Sequence, residues 1–242
     1  HNVNHFGFID DNLFIDKMHA FKLLKLIEES GLKFTYSLDT GIRANCADDE
    51  ELWVLLKKTG CILVGIGIES SDQEVLKLCN KGENLEHISR AIALAKKFKI
   101  TVKGYFIVGL PDDSKEKVKR SVEYAKKMNI DIPRFALAQA FPKTQLSSWI
   151  EKNGKFTDEP YNYVITNTDD QHTSPAFSFD LFSAEDIWRS YQWANKEALK
   201  ITFKSILIDK FGHLFGNILN FLFNNYIIRK AAVFAYQKGL VG

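Results

Sequence analysis

Five short apolar runs rich in β-branched and aromatic residues punctuate the first part of the chain: His5–Ile9, Phe34–Leu38, Ile62–Ile68, Val102–Val108 and Ile132–Ala140. Amphipathic stretches separate them. Ala20, Leu23, Leu24 and Ile27 fall at i, i+3, i+4 and i+7, which predicts a helix that Gly31 ends. A second helix opens near Asp48, buries Leu52, Leu55 and Leu56 and closes at Gly60. Ser71-Asp72-Gln73-Glu74 reads as a capping box, and Leu85 to Phe98 supplies a further helix. Gly109-Leu110-Pro111 turns into a helix carrying Val118, Val122 and Ala125, and Phe141-Pro142 gives way to a short helix from Leu146 to Ile150. Strands that alternate with helices in this way predict βα units on a parallel sheet.

The pattern then divides the chain. Residues 1–152 hold five βα units, 153–180 form a polar connection containing Gly and Pro, and 181–242 are helical by pattern to about Gln237. Phe211, Leu214, Phe215, Ile218, Leu219, Leu222, Phe223, Tyr226 and Ile227 make a broad apolar stripe in that last region. The stripe predicts a helix packed over the sheet; an interfacial membrane helix is the second reading, against which stands the lack of a dense Lys/Arg row on the polar face. Apolar runs here are too short for a membrane span, since the longest, 211–236, is interrupted by Asn217, Asn220, Arg229 and Lys230.

Composition narrows the class without naming a function. The 242 residues are 45% apolar and 26% charged, which excludes disordered and collagen-like chains. A net charge of +2 gives no basic excess for nucleic acid. Cys46, Cys61 and Cys79, separated by 15 and 18 residues, fit neither a disulfide framework nor a metal clip, so reduced thiols and a cytoplasmic setting are expected. The chain opens on His1 and enters a strand-like run with no signal peptide before it, which reads as a piece of a longer protein.

Each apolar run ends in polar or backbone-special residues. The first ends in Asp10, Asp11 and Asn12, the second in Asp39, Thr40 and then Arg43, and the third in Glu69 and Ser70. The fourth ends at Gly109, Pro111, Asp112 and Asp113, and the fifth at Pro142, Lys143 and Thr144. In a parallel α/β sheet these ends open on one face, so they predict one shared crevice. Glu69 is the most informative, because a carboxylate directly after Leu63-Val64-Gly65-Ile66-Gly67-Ile68 needs a partner or a polar cavity. The alternative is that it caps the next helix or pairs with a lysine. Asp10 and Asp11 suit turns, and Arg43 suits an ordinary ion pair. Gly65 and Gly67 predict close approach of a ligand or a neighbour. Ser70 lacks a nucleophile elbow, and the histidines lack metal spacing.

Taken in order, these segments resemble the radical S-adenosylmethionine (SAM) superfamily, in particular its cobalamin-binding branch. The resemblance rests on Phe8-Ile9-Asp10-Asp11-Asn12-Leu13-Phe14, Ile42-Arg43-Ala44-Asn45, Gly65-Ile66-Gly67-Ile68-Glu69-Ser70 with Leu76 and Lys81-Gly82 downstream, and Gly104-Tyr105-Phe106-Ile107-Val108-Gly109-Leu110-Pro111. It spans roughly residues 4–146. It implies an incomplete parallel (β/α)6 barrel, related to TIM barrels, with a helical C-terminal extension. It also implies SAM, a [4Fe-4S] cluster that cleaves SAM reductively to a 5′-deoxyadenosyl radical, and cobalamin on an upstream domain. The chemistry would be methyl transfer or oxidative cyclisation of a small-molecule substrate, with a flavodoxin or ferredoxin as electron donor. Carried onto this sequence, Asp10 and Asp11 would lie near the SAM methionyl group and Arg43 near the SAM carboxylate or the substrate. Glu69 and Ser70 would meet the ribose or amino group, and Gly104, Ile107 and Gly109 would let backbone approach the adenine.

The departures are specific. The family's C-x-x-x-C-x-x-C cluster motif is absent and belongs upstream of His1. Asp112-Asp113 stands where the family tends to have Gly-Glu, and Pro142-Lys143-Thr144 where it tends to have Pro-Gly-Thr. Two other readings stay open: a barrel fragment without a cluster that acts through protein contacts, and a different barrel enzyme using Asp11 and Glu69 as acid and base.

Overall fold

The computed structural model describes residues 3–10, 13–44, 47, 49–157 and 175–224. Five strands, β1 (His5–Phe8), β2 (Thr35–Ile42), β3 (Cys61–Glu69), β4 (Thr101–Val108) and β5 (Ile132–Leu137), form one sheet. They lie side by side in chain order, and every pairing is parallel. Each crossover therefore steps one strand in the same direction, as in a barrel wall; a doubly wound sheet would reverse. The crossovers carry α1 (Lys17–Glu29), α2 (Glu50–Lys58), α3 (Gln73–Leu78), α4 (Leu85–Lys97) and α5 (Lys115–Lys127). The fold expected from the alternating pattern is the one observed.

Side-chain caps start these helices, with Asp16, Asp49, Asn84 and Ser114 accepting backbone N–H bonds at α1, α2, α4 and α5. At α3 the expected capping box is displaced by one residue. Asp72, not Ser71, is the N-cap, accepting from the Glu74 and Val75 N–H groups. The Ser71 N–H instead donates to Ser121 Oγ on α5 at 3.0 Å, so a tertiary bond takes the residue the local pattern had assigned.

The core lies between the sheet and its helices. Tyr36, Leu38, Val64, Ile66, Val102 and Phe106 from the strands meet Leu24, Leu52, Trp53, Ile88, Ile92 and Val122 from the helices, and all are buried. Each such large side chain contributes about 1.5–3 kcal/mol on leaving water. The polar tips of Tyr36 and Trp53 are satisfied: Tyr36 Oη and Thr59 Oγ1 share a 2.7 Å bond, and Trp53 Nε1 donates to the Ala47 carbonyl at 2.8 Å.

After β5 come α6 (Gln145–Asn153), β6 (Gly154–Phe156), β7 (Phe177–Phe179) and α7 (Ala184–Asn224). The stretch that reads as a plain connection thus has its two ends zipped together, because β6 and β7 pair antiparallel and Phe156, Phe177 and Phe179 pack with Trp149. Helix α7 lies along β5. Asn195 donates from its side-chain amide to the Phe135 carbonyl at 3.1 Å and accepts from the Phe135 N–H at 3.4 Å, so its amide stands in for a neighbouring strand on that edge.

The helix is broken at Gly212 (φ 75, ψ 167). A Cβ on Gly216 would lie 2.7 Å from Ile208 Cα, so the segment after the break folds back on the one before it. Before the break Ala194, Ala198 and Leu207 of α7 are buried, whereas Leu214 and Phe215 of the apolar stripe beyond it remain 71% and 64% exposed and are not packed over the sheet as expected. Tyr226, Ile227 and the rest of the expected helix to Gln237 lie outside the described residues. Among the described residues, no helix is long and apolar enough to cross a membrane.

Candidate functional site at the C-terminal rim of the sheet

The two faces of β4 differ along its whole length. Val102, Gly104, Phe106 and Val108 are buried against the helices, whereas Thr101, Lys103, Tyr105 and Ile107 on the other face are half-buried. The open face is polar. Lys103 Nζ donates to Asp39 Oδ1 at 2.8 Å, Ser37 Oγ donates to Asp39 Oδ2 at 2.7 Å, and Tyr105 Oη donates to the Asp39 carbonyl. The Lys103 and Ser37 bonds hold the Asp39 carboxyl below its ordinary range. Burial alone would lower Lys103, but Asp39 and Tyr105 more than offset it and leave the ammonium raised.

This network depends on an irregularity in β2. Leu38 pairs with Val64 and Ile42 with Ile66, so Asp39, Thr40 and Gly41 face the single residue Gly65. A Cβ on Gly65 would stand 2.6 Å from the Asp39 carbonyl oxygen and 2.9 Å from the Tyr105 ring. The close approach that Gly65 was expected to permit is therefore to a neighbouring strand. Lys103 and Tyr105 were missed by motif reading; the strict alternation Thr-Val-Lys-Gly-Tyr-Phe-Ile-Val in β4 is the signal that one face is polar.

Above this floor lies the rim formed by the strand ends. Asp10 is exposed after β1, and its carbonyl accepts from Thr40 Oγ1 at the end of β2. Arg43 is exposed just beyond β2. Asp11 lies outside the described residues. Glu69 ends β3 with φ 61, where an extra residue enters the strand between Gly67 and Glu69. Its carboxylate accepts from Lys81 Nζ at 2.8 Å, so the lysine pairing that the sequence left open is realised, and the group is still partly open to solvent. Ser70 is buried, with its Oγ accepting from the Asp72 N–H.

Two of the three candidate residues from β4 stay on the rim side. Ile107 is on the open face, and Gly109 (φ 91) starts the turn. Gly104 faces the other way. A Cβ there would touch Ile68 and Ile130 at 3.0–3.1 Å, so packing against the helix side accounts for its size. The turn after Gly109 is held by Asp113, whose Oδ2 accepts from the Gly109 N–H and Oδ1 from the Ser114 N–H, both at 2.8 Å. Burial pushes the Asp113 carboxyl up to about 6, against the lowering effect of those two bonds and of Lys117.

The sequence departures after β4 and β5 keep the glycine-type backbone. Asp112 has φ 61 and Lys143 has φ 64. Both stand where the resembling family tends to have glycine. Left-handed non-glycine residues cost about 1–3 kcal/mol each and gather at sites of function.

The donor set suits an amino-acid nucleoside: a guanidinium (Arg43) and carboxylates (Asp10, Glu69) match the charged ends and hydroxyls of SAM. It does not suit an iron–sulfur cluster. Among the described residues no group of three His, Cys, Asp or Glu side chains could hold a metal ion. Burial pushes the Cys61 thiol up to about 12 and the Cys79 thiol up to about 11, away from the thiolate form that ligates metal. Cys46 lies outside the described residues. A cavity of about 610 Å3 lies at the opposite end of the strands, lined by Lys96, Lys99, Asp131, Lys204 and Ser205 among others, and takes no part in the rim.

Comparison with known proteins agrees with this geometry. The family described as the radical SAM superfamily matches residues 2–125, just over half of the chain, and the chain belongs to it. Enzymes of this family use SAM and a [4Fe-4S] cluster. An uncharacterized methyltransferase of Pyrococcus horikoshii is 27% identical over 189 residues, 77% of this chain and 39% of that protein. The anaerobic magnesium-protoporphyrin IX monomethyl ester cyclase of Rubrivivax gelatinosus is 31% identical over 168 residues, 68% of this chain and 30% of that protein. The chain thus spans well under half the length of these curated relatives. Among solved structures, the radical SAM methyltransferase TsrM of Kitasatospora setae, with cobalamin and a [4Fe-4S] cluster bound, superposes with a TM-score of 0.57 at 16% identity, covering 95% of this chain and 52% of that one. The shared fold is the barrel wall.

Proposed function

We propose that this chain is the SAM-side part of the catalytic barrel of a radical SAM methyltransferase or cyclase, whose cluster ligands lie outside the described residues. The carrying observation is the convergence of Asp10, Arg43, Glu69 and the Gly109 turn on one rim, above a polar barrel floor and in a chain of this superfamily. In this reading the whole protein cleaves SAM reductively to methylate or cyclise a small molecule. Arg43 receives the SAM carboxylate, Glu69 and Ser70 the ribose or amino group, Asp10 and Asp11 the methionyl side, and Ile107 and Gly109 the adenine. Methyltransferase and cyclase names among the relatives, and the cobalamin in TsrM, support a cobalamin-dependent reaction; reductive cleavage of SAM needs an electron donor, for which this reading takes a flavodoxin or ferredoxin. In this reading the whole protein works in the cytoplasm, which the wide, unpaired spacing of Cys46, Cys61 and Cys79 supports.

The test is SAM affinity in the complete protein, measured anaerobically by calorimetry. Glu69→Ala should weaken binding by on the order of tenfold or more, the loss of one charge-assisted hydrogen bond. Unchanged affinity would remove Glu69 from the site. Finding no iron after anaerobic reconstitution of the complete protein would favour a barrel without radical chemistry.

A further inference from the structure

The Lys81 ammonium stands between two carboxylates. Its Nζ is 2.8 Å from Glu69 Oε1 and 3.5 Å from Glu83 Oε2. The Glu83 side chain is 1% exposed, whereas those of Lys81 and Glu69 are 17% and 21% exposed. The arrangement therefore runs from the interior to the rim, with the deepest carboxylate at one end and the candidate ligand group at the other. Of the two carboxylates that flank the ammonium, the one that reaches solvent is that of Glu69.

The backbone around the triad is shaped to hold it. A Cβ on Gly67 would lie 2.7 Å from Glu69 Oε1 and 2.8 Å from Lys81 Nζ, so the ion pair lies flat across β3 in space that any other residue would fill. Glu69 itself is left-handed, at φ 61, a conformation an extended strand would not give it. Lys81 starts from a fixed point, because its N–H closes α3 by donating to the Leu76 carbonyl at 3.1 Å, after the left-handed Asn80. A surface ion pair would need none of this, and would contribute little.

We infer that Lys81 and Glu83 are positioning residues: Glu83 anchors Lys81, and Lys81 aims the Glu69 carboxylate at the ligand on the rim. This rests on the reading of Glu69 as a SAM contact, and deepens it by naming what sets the orientation of that carboxylate. The strain at Glu69 is then held in place by the pair rather than by the strand.

Five variants of the complete protein test it, with SAM affinity and melting temperature read for each. Lys81→Met should weaken SAM binding about as much as Glu69→Gln, on the order of tenfold. The double variant should be no weaker than either single one, since both act through one carboxylate. Lys81→Arg, which keeps the charge, should recover most of the loss, and Glu83→Gln should cost a smaller factor. Effects of Glu69→Gln and Lys81→Met that multiply in the double variant would overturn positioning and make Lys81 an independent contact. So would Lys81→Met with unchanged affinity while Glu69→Gln weakens it. If Glu69→Gln itself changes nothing, the reading of Glu69 falls, and the inference with it. Should Lys81→Met fail to fold, Lys81→Arg and Glu83→Gln still decide the question, because unchanged affinity in Glu83→Gln with weakened binding in Lys81→Arg contradicts an anchor that works through charge.

Discussion

The two ends of the same sheet are built on different rules. At the N-terminal ends of the strands, helices return through near-identical turns. Gly60, Lys99 and Asn129 are all left-handed, and the Ile100 and Ile130 N–H groups reach back to the Ala95 and Ala125 carbonyls. These turns are interchangeable closures that a helix C-terminus needs anyway. At the C-terminal ends, three of the described strand ends are each built differently: β2 loops out over Gly65, β3 ends in a strained Glu69, and β4 ends in a turn latched by a buried carboxylate. One end serves stability; the other is individually shaped, as active rims of parallel βα barrels are.

The largest effect should come from the stability end. A Cβ on Gly60 would lie 2.2 Å from the Phe34 carbonyl oxygen, in a residue with φ 97. Gly60→Ala should therefore cost about 3 kcal/mol or more, read as a loss of cooperative thermal unfolding near the normal temperature. A harmless Gly60→Ala would break the contrast between the two ends.

Asp113 gives the next largest effect. Its carboxyl is raised from an ordinary 3.8 to about 6, so the folded protein holds a proton that the unfolded chain has released. Unfolding free energy should fall as pH rises from about 4 to 6, by up to roughly 3 kcal/mol from this group, and stay level above that window. Carboxylates held low, such as Asp39 beside Lys103, slope the other way. The reading is therefore the difference between the parent and Asp113→Asn in chemical denaturation across that window. Parallel curves would show that Asp113 does not titrate there.

The smallest effect sharpens the comparison most. Asp112→Gly and Lys143→Gly relieve left-handed strain on the rim, and Lys99→Gly relieves it at the other end. Each should be stabilising by about 1 kcal/mol or less. Only the two rim variants should also weaken SAM binding, a trade of stability against function. Equal SAM affinity in all three would mean that rim strain has no functional part.

Much of this was legible in order of residues. The five strands, the helices between them and the gathering of polar strand ends on one rim all follow from local pattern, because period and punctuation report which face a segment buries. The substitutions of Asp112 and Lys143 at glycine-like places were legible as departures, yet their φ values show that the backbone they occupy is unchanged. The resemblance through Glu69 and the Gly109 turn also pointed to the family that the match over residues 2–125 establishes.

What sequence by itself determined was the alternation of βα units, the positions of the caps to within a residue or two, and the set of residue types at the strand ends. Tertiary structure alone decided the rest. The three-to-one bulge of β2 over Gly65, the tie of Ser71 to Ser121, the reversal of α7 at Gly212 and the line from Glu83 through Lys81 to Glu69 are contacts between segments far apart in the chain. Periodicity carries no information about such contacts, because each is fixed by the packing of a neighbouring element and not by the residues beside it.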